Sequence, residues 1–352
     1  MSLLLSNTQT VPPVVSPKNF DFSAGINELE ELLGLKGVEV SFLAGDGSDR
    51  TYHRVLNSEG VPVAVIMKVS DQDNTKIFRG TYDWCSISTL LLSKGLTAPK
   101  ILGSIPSINA LVIEDFGNLM LENFSEVEST ENTQKIYEKA LDVIVQMLDI
   151  ERDDSHVWTT RSFDTEKLSF ELNFFKTHYL EKALNIDLSE KDKLDLEQEI
   201  ASLSSFLADY SKYFTHRDYH SRNILIHNRK IGLIDFQDAR LGPPSYDLVS
   251  LIFDPYINIG MDSRMSMYET FKTKIKDPKV LSEVQETFKP MALQRLFKAI
   301  GSFGYLTLSV KRGDYLQFVP KALEILNQID VQDDRWPFLT ETLIKRLNDV
   351  NV

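Results

Sequence analysis

Two turns that contain aspartate, one before and one after a short apolar hairpin, constrain the fold of this chain more than any other feature. The first turn runs from Thr215 to Asn223 with the sequence THRDYHSRN, and the second contains Asp235. Between them lie two short apolar runs of strand-like composition, 224–226 and 231–234. A hairpin made from these runs would bring Asp218, Asn223 and Asp235 together.

The residue types in these turns suit phosphoryl transfer. An aspartate can take the proton of an attacking hydroxyl, and amide and carboxylate oxygens are ligands for Mg²⁺. His-Arg-Asp followed by Asn five positions after the Asp, with a second Asp beyond the next hairpin, is typical of kinase active sites. We therefore predict that Asp218 is catalytic and that Asn223 and Asp235 bind metal. Capping of turns is the alternative for such residues, but it leaves Asp235 unexplained.

The same loop contains two histidines and a second arginine. We expect His216 to anchor the loop by hydrogen bonding. His220 and Arg222 are candidates for contact with the substrate or a phosphate, and exposure to solvent is the alternative for both.

A glycine-containing turn upstream is a candidate phosphate-binding loop. Gly45, Gly47 and Ser48 lie between two strand-like segments, where glycine lets backbone N–H groups approach phosphates closely. Arg50 stands where a third glycine of a Gly-x-Gly-x-x-Gly pattern would be. The match is partial, and an ordinary hairpin turn is the alternative.

Lys68 ends the strand-like segment that follows this turn, so it is predicted to neutralise the nucleotide phosphates. A surface lysine is the alternative. Kinases pair this lysine with a glutamate on the next helix, but no glutamate occurs between Gly60 and Glu114. Asp83 is the nearest carboxylate on the helix predicted over 80–93.

The order of elements predicts an α+β, bilobal, protein-kinase-like fold. Residues 1–20 are expected to be a flexible lead-in, 21–117 a small β-rich lobe that binds nucleotide, and 118–352 a larger, mainly helical lobe with the catalytic loop and substrate site. The adenine ring would bond to backbone between Glu114 and Phe116. Five strands are predicted in the first lobe, over 38–43, 51–56, 61–69, 101–104 and 110–114. Helices are predicted over 26–34, 80–93, 133–149, 164–184, 190–211, 264–275, 279–288, 290–309, 314–329 and 338–348.

Charge and composition narrow the class of partner. A net charge of -13 argues against nucleic acid and against an anionic membrane surface. No apolar run approaches the roughly 20 residues that cross a bilayer. The single cysteine, Cys85, suits a reducing compartment, which favours a cytoplasmic location. Nothing in the sequence indicates a protein partner.

Several stretches together resemble the aminoglycoside-phosphotransferase-like superfamily of small-molecule kinases. They are THRDYHSRN with IDFQDA, then GPPSYDLVSL from Gly242, EDFG from Glu114, and QRLFKAIGSF from Gln294. These stretches look most like the bacterial kinases that phosphorylate the anomeric hydroxyl of N-acetylmuramate and N-acetylglucosamine, in cell wall recycling. The likeness spans about residues 40–330. One departure is Lys68, because members of that branch often lack a lysine at its position.

The resemblance implies ATP and Mg²⁺ as cofactors and a small polar acceptor, an N-acetylated amino sugar. Arg295 and Lys298 are then candidates for binding the acceptor, including its carboxylate if it has one. A solvated helix face is the alternative for both. Three other functions stay open: a kinase for an aminoglycoside or another amino-alcohol, a protein kinase, and a nucleotide-binding pseudokinase.

Overall fold

The first part of the chain forms a five-stranded antiparallel sheet with the strand order β1-β2-β3-β5-β4. The structure is a computed structural model that describes residues 22–45 and 50–350; the predicted lead-in 1–20 lies outside these ranges. The predicted strands are all confirmed, as β1 (Glu39–Gly45), β2 (Thr51–Leu56), β3 (Pro62–Lys68), β4 (Ile101–Ile105) and β5 (Ala110–Ile113).

Alternation along the central strand β3 divides the sheet into two apolar faces. Ala64 and Ile66 pack in a small core that includes Leu29 of helix α1 (Ile26–Leu33). Val65 and Met67 lie in the main core of the molecule. Because successive side chains of a strand point to opposite faces, one strand is anchored to helices on both sides.

Two helices follow the central strand, where the sequence predicted one. They are α2 (Asp71–Phe78) and α3 (Asp83–Ser93). The predicted helix over 80–93 is confirmed as α3, which begins three residues later than expected. Helix α2 was missed because its sequence, DQDNTKIF, is too polar to show apolar periodicity. Ser70 caps it by accepting a hydrogen bond from the backbone N–H of Asp73 at 3.2 Å.

The second part of the chain is mainly helical. Its helices are α4 (Leu121–Val127), α5 (Thr130–Leu148), α6 (Thr165–Phe175), α7 (Glu190–Ala208), α8 (Tyr246–Ile252), α9 (Met261–Lys274), α10 (Pro278–Leu308), α11 (Val319–Gln328) and α12 (Ile344–Val350). Short π-helical turns extend α6 over Lys176–Glu181 and precede α12 over Phe338–Leu343. Within the described ranges, no helix has both the length and the apolar composition to span a bilayer.

The prediction of separate helices over 279–288 and 290–309 was wrong. They form the single helix α10, with Pro290 buried inside it. Proline removes one backbone hydrogen bond from a helix interior. Buried side chains on both sides of Pro290, among them Phe288 and Met291, pack in the main core, and this packing outweighs the loss.

Two small sheets interrupt the helices and frame the predicted catalytic loop. One pairs β6 (Tyr213–Thr215) with β9 (Arg240–Gly242), and the other is the predicted hairpin of β7 (Ile224–His227) and β8 (Lys230–Leu233). The loop over 216–223 therefore has a strand at each end. The boundary proposed near residue 117 follows β5 and precedes α4; it stays a prediction.

Candidate active site

A buried carboxylate outside the loop fixes how the predicted catalytic loop begins. Asp247, in the first turn of α8, accepts backbone hydrogen bonds from His216 at 2.7 Å and Arg217 at 3.1 Å. Arg217 has φ of 84°, in the left-handed region, and its guanidinium donates to Asp238 at 2.9 Å. This turn of the chain places the next residue, Asp218, in a cleft that Asn223 and Asp235 also line.

Asp218, Asn223 and Asp235 line one cleft of about 250 Å³. The side-chain amide of Asn223 donates to the backbone carbonyl of Asp218 at 3.0 Å and lies 3.4 Å from Asp235 Oδ2. The structure thus brings together the three residues to which the sequence assigned chemistry. Their individual roles stay predictions.

The donor set at this end of the cleft fits Mg²⁺. Asn223 and Asp235 offer an amide oxygen and a carboxylate, the hard oxygen ligands that Mg²⁺ prefers. Across residues 22–45 and 50–350, no group of three or more His, Cys, Asp or Glu side chains is arranged to hold a metal. Such a two-residue site suits an ion that keeps water and phosphate oxygens as its other ligands.

Gln237 orients the Asp235 carboxylate, a contact that the sequence did not reveal. Its amide donates to Asp235 Oδ1 at 2.7 Å. Asp235 itself has a left-handed backbone, with φ of 63°. A glutamine two positions after the predicted metal ligand was part of the stretch that carried the family resemblance, but its spacing alone does not indicate this role.

Two cations from helix α10 face Asp218. Lys298 donates to Asp218 Oδ1 at 3.0 Å, and Arg295 lies 3.6 Å from the same oxygen. Burial alone would raise the pKa of Asp218, but Lys298, Arg217 and Arg295 together hold it well below its usual range. Asp218 is therefore ionised at neutral pH. Both α10 cations line the cleft, which argues against a solvated helix face, and their contact with the acceptor stays a prediction.

The two histidines of the loop are neutral at physiological pH. Burial lowers the pKa of His216 to about 4 and that of His220 to about 3. His220 lines the cleft, whereas His216 is fully buried behind it. Neither supplies a positive charge to a bound ligand.

Arg222 makes an ion pair instead of lining the cleft. It donates to both carboxylate oxygens of Glu122, with distances of 2.8–3.0 Å. Its guanidinium also stacks on Tyr256, 3.7 Å from the ring centre. The suggested contact with substrate stays a prediction, and this arrangement assigns Arg222 to the support of the cleft wall.

Asp254 and Tyr256 form a part of the site that sequence reasoning missed. Asp254 accepts backbone hydrogen bonds from Ser221 and Tyr256, both at 2.8 Å. Tyr256 lines the cleft, and its ring packs edge-on against Phe303 at 5.7 Å between centroids. The short Asp-Pro-Tyr stretch carries no motif that would have signalled this position.

The residues predicted to bind nucleotide lie on the sheet and on the connection after it. Lys68 ends β3, with Nζ 3.4 Å from the backbone oxygen of Ile108, and burial lowers its pKa. Gly45 ends β1. Gly47 and Ser48 lie outside the described residues. Asp83 pairs with Arg161 at 3.3 Å.

Phe116 connects the sheet to the catalytic hairpin. Its ring is buried, stacks on His227 at 4.5 Å between centroids, and covers Gly232. A Cβ atom at Gly232 would lie 2.7 Å from the Phe116 ring. Glu114 precedes this contact and bonds through its backbone N–H to the Lys100 carbonyl at 2.9 Å. The edge predicted to receive adenine is therefore held against the hairpin that carries Asp235.

An antiparallel sheet followed by a mainly helical lobe, with Asp218, Asn223 and Asp235 on one cleft, is typical of a kinase-like phosphotransferase. Residues 39–278 match the model of the phosphotransferase enzyme family, and the chain belongs to that family. The predicted fold and the prediction of an enzyme are confirmed.

Relatives and solved structures agree with this assignment. The chain is 25% identical over 308 residues to an N-acetylmuramate/N-acetylglucosamine kinase of Neisseria meningitidis serogroup B, covering 86% of this chain and 89% of that protein. It is also 25% identical over 247 residues to a protein of the same name from Pseudomonas aeruginosa, covering 68% and 70%. An ADP-bound aminoglycoside phosphotransferase superimposes with a TM-score of 0.56 at 16% identity, covering 90% of this chain and 99% of that one. At that identity the last likeness concerns the fold.

Proposed function

We propose that this enzyme transfers the γ-phosphoryl group of ATP to the anomeric hydroxyl of an N-acetylated amino sugar, N-acetylmuramate or N-acetylglucosamine. The observation that carries the reaction type is the convergence of Asp218, Asn223 and Asp235 on one cleft. The family match supports phosphoryl transfer. The relatives named for these two sugars support the acceptor.

In the proposed reaction Asp218 orients the acceptor hydroxyl and takes its proton. The acceptor oxygen forms a bond to the γ-phosphorus while the bond from that phosphorus to the β–γ bridging oxygen breaks, and ADP leaves with the electron pair. Asn223 and Asp235 would hold Mg²⁺, which, when bound, neutralises charge on the phosphates. Lys68 and the backbone from Gly45 would contact the phosphates, and the segment from Glu114 to Phe116 would contact the adenine.

The charges of the cleft favour a neutral or anionic acceptor. Asp254 lines the cleft, but both of its oxygens already accept backbone N–H groups. Asp218 forms an ion pair with Lys298, which offsets its negative charge. Asp235, the third carboxylate of the cleft lining, is assigned to the metal, so within the described part of the cleft each carboxylate already has a partner or a role. This supports a neutral or anionic acceptor over a polycationic aminoglycoside, and Arg295 could bind the carboxylate of N-acetylmuramate.

Turnover of Mg·ATP with each sugar tests the proposal directly. The purified protein is assayed with N-acetylmuramate, N-acetylglucosamine and a set of aminoglycosides, and phosphorus NMR identifies the product. We expect an anomeric sugar phosphate. Asp218→Asn should lower kcat by about 10²- to 10⁴-fold, the usual contribution of a general base.

Two results would contradict the proposal in different ways. Turnover with aminoglycosides alone would keep the chemistry and replace the acceptor. Binding of ATP without turnover of any acceptor, including simpler amino-alcohols, would favour the pseudokinase alternative. Arg295→Gln separates the two sugars, because it should raise KM for N-acetylmuramate more than KM for N-acetylglucosamine.

A further inference from the structure

We propose that Lys298 is a further catalytic residue, whose ammonium group binds the phosphoryl group while that group passes from nucleotide to acceptor. This inference rests on the proposed function and deepens it. The sequence suggested Lys298 only as a possible contact for the acceptor. The geometry points to the transferred group instead.

The position of Lys298 relative to Asp218 carries the argument. Lys298 Nζ lies 3.0 Å from Asp218 Oδ1. A hydroxyl that gives its proton to this carboxylate must sit about 2.6–3.2 Å from it. The reacting phosphorus must then lie about 3–3.5 Å from the hydroxyl oxygen. These distances allow the ammonium group to reach the phosphoryl oxygens at the moment of transfer.

Lys298 also has hydrogen-bonding capacity to spare. An ammonium group has three N–H donors, and in the described part of the molecule its one hydrogen bond goes to Asp218. Arg295 is less free to move, because its Nε donates to Ser250 Oγ at 2.8 Å. Of the two α10 cations, Lys298 is thus the one that can turn toward a new oxygen ligand without losing its existing contact.

The imidazole of the loop, at His220, cannot take this role. His220 lies in the same cleft, but its burial keeps the imidazole neutral. Charge develops on the phosphoryl oxygens during transfer, and a fixed positive group in a partly buried site stabilises that charge strongly. Lys298 has a side chain that is only 14% exposed, so water screens it little.

Helix α10 holds Lys298 rigidly. The neighbouring Gln294, one turn earlier, is fully buried and donates to the buried Glu171 at 3.0 Å. Phe297 and Ile300 are fully buried in the main core on either side of the lysine. The backbone from which Lys298 projects is therefore fixed in place before any ligand binds, as preorganised charge stabilisation requires.

The test compares Lys298→Met and Lys298→Arg with a control on the same helix. Lys289→Met is the control, because Lys289 also makes an ion pair, with Asp330 at 3.1 Å, but is half exposed on the surface. With both sugars, Lys298→Met should lower kcat by about 10²- to 10³-fold, as for loss of one donor to developing charge. KM for each sugar should change little, and Lys298→Arg should recover part of the rate.

A contact with the acceptor carboxylate predicts another pattern. In that case Lys298→Met would raise KM for N-acetylmuramate and spare N-acetylglucosamine, which has no carboxylate. That result would overturn the proposal.

A binding measurement needs no acceptor and so distinguishes failure of this inference from failure of the proposed function. Mg·ADP with aluminium fluoride mimics the phosphoryl group in transit. Calorimetry should show that Lys298→Met weakens binding of this mixture while Mg·ADP alone binds as in the wild type. Equal binding of the mixture by wild type and variant would overturn the proposal, whichever acceptor the enzyme uses.

Discussion

The guanidinium of Arg54 and the carboxylate of Asp115 form two hydrogen bonds, at 2.6 and 2.9 Å, across the connection between the sheet and the helical lobe. The same guanidinium donates to Asn118 at 2.7 Å and to the Gly117 carbonyl at 3.2 Å. The Arg54 and Asp115 side chains are only 11% and 7% exposed. One side chain of the sheet therefore fixes the whole turn that leads into the helical lobe.

Removal of this arginine should destabilise the fold. Arg54→Ala leaves a buried carboxylate without its partner, so the free energy of unfolding should fall by about 3 kcal/mol. Arg54→Lys should recover only part of the lost unfolding free energy, because an ammonium group cannot form the two parallel hydrogen bonds of a guanidinium. Urea unfolding measures both. Lys135→Ala, which breaks an exposed pair with Glu131, is the control and should change stability by less than about 0.5 kcal/mol. A wild-type stability for Arg54→Ala would refute the role of the pair.

Gly232→Ala should disturb the contact between the connection and the catalytic hairpin. The added Cβ would meet the Phe116 ring at 2.7 Å, so we expect a loss of about 1–3 kcal/mol in unfolding free energy. Weaker ADP binding should accompany it. The double variant Gly232→Ala/Phe116→Leu should be more stable than the sum of the single changes implies, because the smaller side chain makes room. Strict additivity in thermal and urea unfolding would count against this contact.

Gln237→Leu should lower the affinity for Mg²⁺ without removing a predicted ligand. Loss of the 2.7 Å hydrogen bond frees the Asp235 carboxylate to rotate. Groups that orient a metal ligand typically contribute 10- to 100-fold to metal affinity. We expect the Mg²⁺ concentration for half-maximal turnover to rise by about that factor, with maximal activity approached at high Mg²⁺. Asp235→Ala should not be rescued by Mg²⁺. An unchanged Mg²⁺ titration in both variants would refute the assignment of Asp235.

Asp247 should make stability fall as pH rises toward neutrality. Burial raises the pKa of Asp247 to about 7, even though His216 and Arg217 donate to it. In the unfolded chain an aspartate has a pKa of about 4. The folded state therefore holds this proton more tightly, and the stability it contributes is complete below about pH 4 and is lost as pH rises to about 7.

Asp247→Asn removes this proton-linked contribution. Thermal unfolding of both proteins is compared at pH 5 and pH 8, and the wild type should lose more stability between these values than the variant. His216 and His220, whose pKa values are lowered by burial, act in the opposite direction. Both proteins share these histidines, so their effect cancels in the comparison. Parallel pH profiles would show that Asp247 does not titrate in this range.

The parts of the site that the sequence predicted are local in the chain. Asp218, Asn223 and Asp235 lie within one loop and one hairpin, whose apolar runs and turn residues can be recognised directly. Lys298 lies 80 residues from the aspartate that it contacts. Its placement depends on how α10 packs, and its role could be suggested only through the family resemblance. Asp254 and Gln237 act through hydrogen bonds that no spacing rule encodes.

The fold was likewise predictable only where the signal is local in the sequence. Strand-like apolar runs identified all five strands of the first sheet, and in β3 one face meets the small core with α1 and the other the main core. The polar sequence of α2 left no periodic signal, since a cap and backbone bonds suffice for so short a helix. The two helices predicted over 279–288 and 290–309 form one, because burial on both sides of Pro290 keeps α10 continuous.

Because Asp235 has a left-handed backbone, thermal stability and catalytic activity favour different residues at this position. Such a conformation typically costs a non-glycine residue about 1–3 kcal/mol, and glycine adopts it freely. A library selected only for thermal resistance should therefore favour glycine at 235, and the winners would be robust proteins without the carboxylate. Heat tolerance and turnover would then be inversely related at this position, which makes it one to exclude from any stabilisation campaign.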